Sequence, residues 1–160
     1  MRQDPDRLAK LRQCLILDSS PEQAYDDLVR LLATGWEVPI TMVNLLDSQR
    51  DWFKAGVGLP AAQSPVTTSF CEVFFQSKRD LLVVQDTTLD PLFARHPLVL
   101  NPPYVRFYAA ARLVVGGQTV GTLCAYDLRP RTISAEQIEQ MRLLAAAAVA
   151  LLTERLNNKA

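Results

Sequence analysis

The stretch Phe107-Tyr108-Ala109-Ala110-Ala111-Arg112-Leu113-Val114-Val115-Gly116-Gly117-Gln118-Thr119-Val120-Gly121-Thr122-Leu123-Cys124-Ala125-Tyr126-Asp127 decides the fold. Two strand-forming runs, Phe107 to Val115 and Thr119 to Asp127, flank a Gly-Gly pair. A two-residue connection of that kind signals a hairpin, because both central residues need positive φ. Alternation along the strands then sorts the side chains into two faces. Phe107, Ala109, Ala111, Leu113, Gly121, Leu123 and Ala125 form an apolar and mostly small set. Small residues let a helix approach closely, so this set is assigned to helix packing. Tyr108, Ala110, Arg112, Val114, Val120, Thr122, Cys124 and Tyr126 form a mixed set. That face is expected to lie under the loops and short helices of residues 56–106.

The flanking sequence supplies the covering elements. Ser134-Ala135-Glu136-Gln137 is a capping box that opens a helix to about Leu156. On it, Ile138, Met141, Ala145, Ala148 and Leu152 recur at 3-4-3-4 spacing, beside a second stripe of Leu144, Ala147 and Leu151. One stripe suits the sheet; Leu144, Leu151 and Leu152 are assigned to pairing with a partner helix. Near the N-terminus, Leu8, Leu11 and Leu15 mark a helix over residues 5–15. Ser20, Pro21 and Gln23 read as the start of a second helix, with Ala24, Leu28, Leu31 and Leu32 as its buried stripe and Gly35 as its stop. Ile40 to Leu46 and Arg50 to Ala55 read as a second hairpin, Ser69 as the cap of a short helix through Gln76, and Leu81 to Val84 as a short strand.

Between Asp86 and Val105, Pro91, Pro97, Pro102 and Pro103 forbid a long helix or a central strand. The same segment holds Leu92, Phe93, Leu98, Val99, Leu100 and Tyr104, so it is expected to fold over a pocket as a lid or wall. The fold class is therefore α+β: an antiparallel sheet, terminal helices on one face, and short helices and loops forming a pocket on the other.

Composition agrees with one ordinary globular domain over residues 1–160. Apolar residues make up 49% and charged residues 21%, and 17 Lys and Arg balance 17 Asp and Glu. A zero net charge lacks the basic excess of a general nucleic-acid binder and removes one defence against self-association, so a homodimer is expected. No apolar run approaches the ~20 residues of a membrane helix, so no membrane partner is expected. The N-terminus lacks a signal-peptide core. Cys14, Cys71 and Cys124 are widely spaced, which fits a reducing cytoplasm better than a disulfide framework. No His/Cys cluster suggests a metal; His96 is the sole histidine.

Several segments together resemble the GAF domain, a PAS-related sensor module of bacterial signalling proteins such as histidine kinases and diguanylate cyclases. They are Leu17-Asp18 before Pro21-Glu22, Val38-Pro39-Ile40, Asp47 through Arg50 to Trp52-Phe53-Lys54, and Ser69-Phe70-Cys71. Further on come Asp90-Pro91-Leu92-Phe93, Pro97-Leu98-Val99, Arg106-Phe107-Tyr108-Ala109, and Gly121-Thr122-Leu123-Cys124 followed by Asp127. The resemblance runs from about Arg7 to Leu156. It departs from the sensor subgroup's usual Ala-His at Glu72-Val73, from Gly at Asn101 and Ala110, and from Pro at Arg112.

The resemblance implies a cytoplasmic sensory domain of a two-component or related system. Such a domain binds a small molecule or a partner and acts on an output domain through its terminal helices. It is expected to be either a stand-alone protein or a segment of a larger one. Phe70, Cys71, Phe93, Tyr108, Thr122 and Cys124 are expected to line the pocket, around a ligand of unassigned identity. No residue is given a catalytic role. The resemblance admits three ligand chemistries. Bilin attachment commonly needs His beside the cysteine, where this chain has Glu72. Haem would rest on His96 alone. A cyclic nucleotide would call on Arg106 or Arg112 for its phosphate, with no Gly-rich loop in support. Two rival classes stand beside the sensor: a free methionine sulfoxide reductase using Cys71 and Cys124, and a purely structural dimerisation module.

Overall fold

Six strands form one antiparallel sheet in the computed structural model, which describes residues 1–158. They are β1 (Ile40–Leu46), β2 (Arg50–Val57), β3 (Gln63–Pro65), β4 (Leu81–Val84), β5 (Phe107–Val115) and β6 (Gln118–Asp127), in the spatial order β3-β2-β1-β6-β5-β4. The β5–β6 hairpin turns at Gly116 and Gly117, with φ of 56° and 79°, as its sequence requires. At Gly121 the β1 strand comes so close that an added Cβ would stand 2.3 Å from the Asn44 carbonyl oxygen.

Three helices cover one face: α1 (Pro5–Gln13), α2 (Gln23–Trp36) and a long C-terminal helix over Ala135–Asn157. Their apolar stripes meet Val43, Leu45, Phe107, Ala109, Ala111, Leu113, Leu123 and Ala125 in the larger of two cores. The small alanines of β5 and β6 admit the long helix through Met141, Ala145, Ala148 and Leu152. The Ser134 capping box forms in full, with Ser134 Oγ accepting from Gln137 N–H and Gln137 Oε1 accepting from Ser134 N–H. Only Leu152 among the three residues assigned to a partner helix is wholly enclosed. It belongs to the stripe that meets the sheet, so it cannot serve a seam between copies; Leu144 and Leu151 are partly exposed beside it.

The opposite face carries the second core, with Met42, Leu46, Phe70, Cys71, Phe74, Phe93, Tyr108, Cys124 and Tyr126. Turns of three to six residues and a short helix, α3 (Pro97–Leu100), replace long helices there, and α4 is the long helix of the other face. The Pro-rich segment packs onto this layer: Phe93, Val99 and Val105 are buried, and Thr87 Oγ1 donates to the Val105 carbonyl at 2.7 Å.

Several local expectations are corrected. Helix α1 ends at Gln13, so Leu15 lies beyond it and is exposed, and on α2 Ala24 and Leu31 are exposed while Leu28 and Leu32 are buried. Helix α2 begins at Gln23 with Glu22 as its cap residue, and no Ser20 capping box forms. The cause is Lys54, buried on the helical side, whose ammonium takes Ser19 Oγ, the Ser20 carbonyl and the Glu22 carboxylate as partners. Likewise, α2 runs past Gly35 to Trp36 and is closed by Glu37 in the left-handed conformation. Finally, Val120 lies in the helix-side core, not on the mixed face. Leu113 pairs with Gly121 and Val114 with Thr119, so Val120 is the extra residue of a bulge, which turns it to the other side. A second register shift, between Val43 and Asn44, places Lys54 and Ala55 together on the helical side of β2.

Candidate functional site

The mixed face is built around Cys71. Ser69 links the short turn Val66–Thr68 to the next one, and its hydroxyl accepts from Cys71 N–H, starting the turn Phe70–Phe75. That turn aims Cys71 Sγ at the middle of the sheet, 3.1 Å from Thr122 Oγ1, 3.2 Å from the Tyr108 hydroxyl and 3.6 Å from Cys124 Sγ. Phe70 stacks between the lid and the sheet, 3.9 Å from the His96 ring and 5.4 Å from the Phe93 ring, centroid to centroid. The six residues named from sequence, Phe70, Cys71, Phe93, Tyr108, Thr122 and Cys124, therefore meet in one cluster. They fill it with their own side chains, and five of the six close the floor of the pocket layer without bordering open space.

The open cavity, of about 250 Å³, lies next to them over β1 and β2. Phe70 is the one member of the named set that borders it. The remainder of its wall comes from Ile40, Met42 and Asn44 of β1, Asp51 and Phe53 of β2, the Gly58–Ser64 loop, Thr68 and Ser69 beside Phe70, Leu98, Pro103 and Val105 of the lid, and Tyr126 of β6. Sequence reasoning missed Asn44 and Asp51. The available signal was strand alternation, which puts Asn44 on the same face as Met42 and Asp51 on the same face as Phe53.

Asn44 and Asp51 are tied together. Asn44 Nδ2 donates to Asp51 Oδ2 at 3.1 Å, Ser69 Oγ donates to the same oxygen at 2.6 Å, and Arg2 Nη2 stands 3.1 Å from Asp51 Oδ1. Arg2 also donates to Glu72 Oε1, to the Asp47 carbonyl and, at 3.3 Å, to Ser69 Oγ. Its own carbonyl accepts from the guanidinium of Arg7 on α1. The cavity wall is thereby connected to the first helix through two arginines.

The titrating groups have distinct surroundings. Burial raises the Cys124 thiol well above its usual value, and the bond to Cys71 adds to this. Burial alone would raise Cys71 too, but hydrogen bonds from Cys124, Thr122 and Tyr108 outweigh it and hold this thiol lower. Burial also lifts the Tyr108 and Tyr126 phenols and lowers the His96 imidazole. His96 Nδ1 accepts from Leu98 N–H and caps α3.

Neither arginine proposed for a phosphate faces the cavity. Arg112 donates to the carbonyls of Phe74, Ser77 and Arg79, and Arg106 donates to those of Val99 and Val105. Among the described residues, no group of three His, Cys, Asp or Glu side chains is placed to hold a metal ion. None of their helices is long and apolar enough to cross a membrane.

Known proteins share this architecture. The chain is 35% identical over 132 residues, 82% of its length, to a cyclic di-GMP phosphodiesterase of Pseudomonas aeruginosa, and spans 22% of that relative. The GAF domain of an Acinetobacter phosphoenolpyruvate-protein phosphotransferase superposes with a TM-score of 0.68 at 17% identity, covering 98% of each chain. A type II free methionine-R-sulfoxide reductase of Thermoplasma acidophilum does so with a TM-score of 0.64 at 14% identity, covering 82% of this chain and 93% of that one. The GAF domain family matches residues 7–152, which takes in the whole sheet and all but the last turn of the C-terminal helix; this chain belongs to the GAF domain family.

Proposed function

We propose that this GAF domain is a sensory module. A small molecule enters the cavity over β1 and β2 and changes how α1, α2 and α4 are held, and these helices bias an output. The observation that carries this reading is the link from the cavity wall to α1. Asp51 and Ser69 border the open space, both contact Arg2, and Arg2 is gripped by Arg7. A ligand that repositions Asp51 or Ser69 alters the anchorage of the N-terminal segment. This supplies the differential affinity for two helix arrangements that any such switch needs. The similarity to part of a cyclic di-GMP phosphodiesterase supports an output in cyclic di-GMP signalling. The partly exposed Leu144 and Leu151 of α4 support pairing of two copies along that helix. Native mass spectrometry of the purified protein tests the ligand: a bound small molecule is expected, and Leu59→Trp, which fills the cavity, removes it. A ligand retained unchanged by that variant places binding elsewhere and overturns the reading.

A second reading rests on the Cys71–Cys124 pair at 3.6 Å. Both thiols are enclosed, so the layer over them must open to a substrate; two thiols at this separation then reduce a sulfoxide to the thioether, its oxygen leaving as water while the two sulfurs join as a disulfide, which an external thiol reduces again. Turnover of free methionine sulfoxide in the presence of a thiol reductant, abolished by Cys124→Ser, is the expected signature. No turnover by fully reduced protein removes it.

A further inference from the structure

Asn44 sits on the central strand β1, about 1% exposed, at the inner wall of the cavity. Its amide nitrogen is committed to Asp51 Oδ2 at 3.1 Å and approaches Cys71 Sγ at 3.6 Å. Exchanging the amide ends would set two oxygens against each other, so the carbonyl oxygen Oδ1 is the remaining end. That oxygen is buried and accepts nothing; Asp51 Oδ1, the other buried acceptor here without a hydrogen bond, is at least compensated by the Arg2 charge at 3.1 Å. A buried acceptor left without a donor is costly, and native structures fill such positions.

The charges around it are already balanced. Asp51 is the sole ionised side chain among the described residues bordering the cavity. It faces Arg2 at 3.1 Å on one oxygen and receives Ser69 and Asn44 on the other. An anion would meet no free cation here, and a cation no free carboxylate; either would lose its hydration without replacement. The rest of the wall is mostly apolar, led by Ile40, Met42, Phe53, Leu59 and Leu98, with Gln63, Ser64, Thr68, Ser69 and Tyr126 as its uncharged polar members. The volume is about 250 Å³, and an engineered apolar cavity of about 150 Å³ already holds benzene.

We propose that the cavity takes an uncharged, mostly apolar molecule of one or two fused rings, whose single N–H or O–H donor bonds to Asn44 Oδ1. This deepens the sensory reading and rests on it. It also separates the domain's ligand from nucleotides: an anionic dinucleotide handled by an output domain does not suit this wall.

Indole and benzofuran, which share a shape and differ in the N–H, are the probes. By calorimetry on the intact protein, indole binds, and benzofuran binds roughly tenfold or more weakly, the loss expected for leaving one buried acceptor unpaired. Asn44→Leu removes the acceptor and brings the two affinities together. If Asn44→Leu does not fold, the pair of ligands on the natural chain still decides. Equal binding of both overturns the role of Asn44 and leaves the sensory pocket standing. Binding of neither overturns the ligand class; the co-purified molecule and its loss in Leu59→Trp then judge the pocket separately.

Discussion

The guanidinium of Arg2 lies 3.1 Å from the carboxylate of Asp51, and both side chains are almost completely withdrawn from water. The pair joins residues 49 positions apart and sits behind the cavity wall. Removing one member leaves a buried charge unmatched. Arg2→Ala is expected to destabilise the domain by about 3–5 kcal/mol. Arg2→Met combined with Asp51→Asn is expected to recover much of that loss. Urea unfolding of the two variants and the natural chain checks it; an unchanged midpoint for Arg2→Ala overturns the anchoring role.

His96 gives a pH dependence of defined sign. Its folded-state value lies below the ordinary 6.5 because it is shielded against Phe70 and the lid. The unfolded chain therefore takes up the proton first as pH falls. The stability tied to neutral His96 is complete above 6.5 and declines below it, towards and through the lowered folded value. His96→Asn keeps an N-cap acceptor for Leu98 but does not titrate. Melting temperature as a function of pH should fall more steeply for the natural chain than for His96→Asn below 6.5. Parallel curves would exclude a contribution from this residue.

Gly121 tests the closeness of the two central strands. A methyl group there would meet the Asn44 carbonyl at 2.3 Å. Backbone cannot swing aside as a side chain can, so Gly121→Ala is expected to cost at least about 1–3 kcal/mol, the usual penalty of overpacking. Chemical denaturation measures it. Gly117→Ala is the informative contrast: nothing lies within 4 Å of the added carbon, and the strain arises from its φ of 79° alone.

Two positions on the long helix separate stability from association. Ser134→Ala removes a completed capping box and should cost about 1 kcal/mol. Leu143 is 64% exposed on the same helix, away from the sheet. If two copies pair along this helix, Leu143→Glu shifts sedimentation at micromolar concentration towards the monomer without lowering the melting temperature. A natural chain that sediments purely as a monomer removes the pairing.

Much of this architecture was legible in the residues. The Gly116-Gly117 turn, the alternation around Tyr108 and Leu123 and the Ser134 capping box are local signals, and local signals survive into the fold. The misreadings share a different cause. Ser20 does not cap its helix because Lys54, 34 residues away, takes its carbonyl, and Val120 changes face because of a bulge that no alternation pattern announces. The candidate site divides in the same way. Tyr108, Thr122 and Cys124 were traceable by strand parity and Cys71 by the family resemblance, but which part of that face stays open depends on how the Gly58–Ser64 loop and the lid fill it. Asn44 and Asp51 looked like ordinary strand residues until the Arg2 guanidinium arrived beside them from the chain's beginning.

The two tryptophans have an optical consequence. Trp36 and Trp52 both lie in the core between sheet and helices, and neither borders the cavity over β1 and β2. An indole ring in the cavity would be separated from both by the thickness of the sheet. Any change in tryptophan emission caused by a non-fluorescent ligand would therefore record an event that has already passed through the strands. The protein carries a natural reporter on the far side of its own partition.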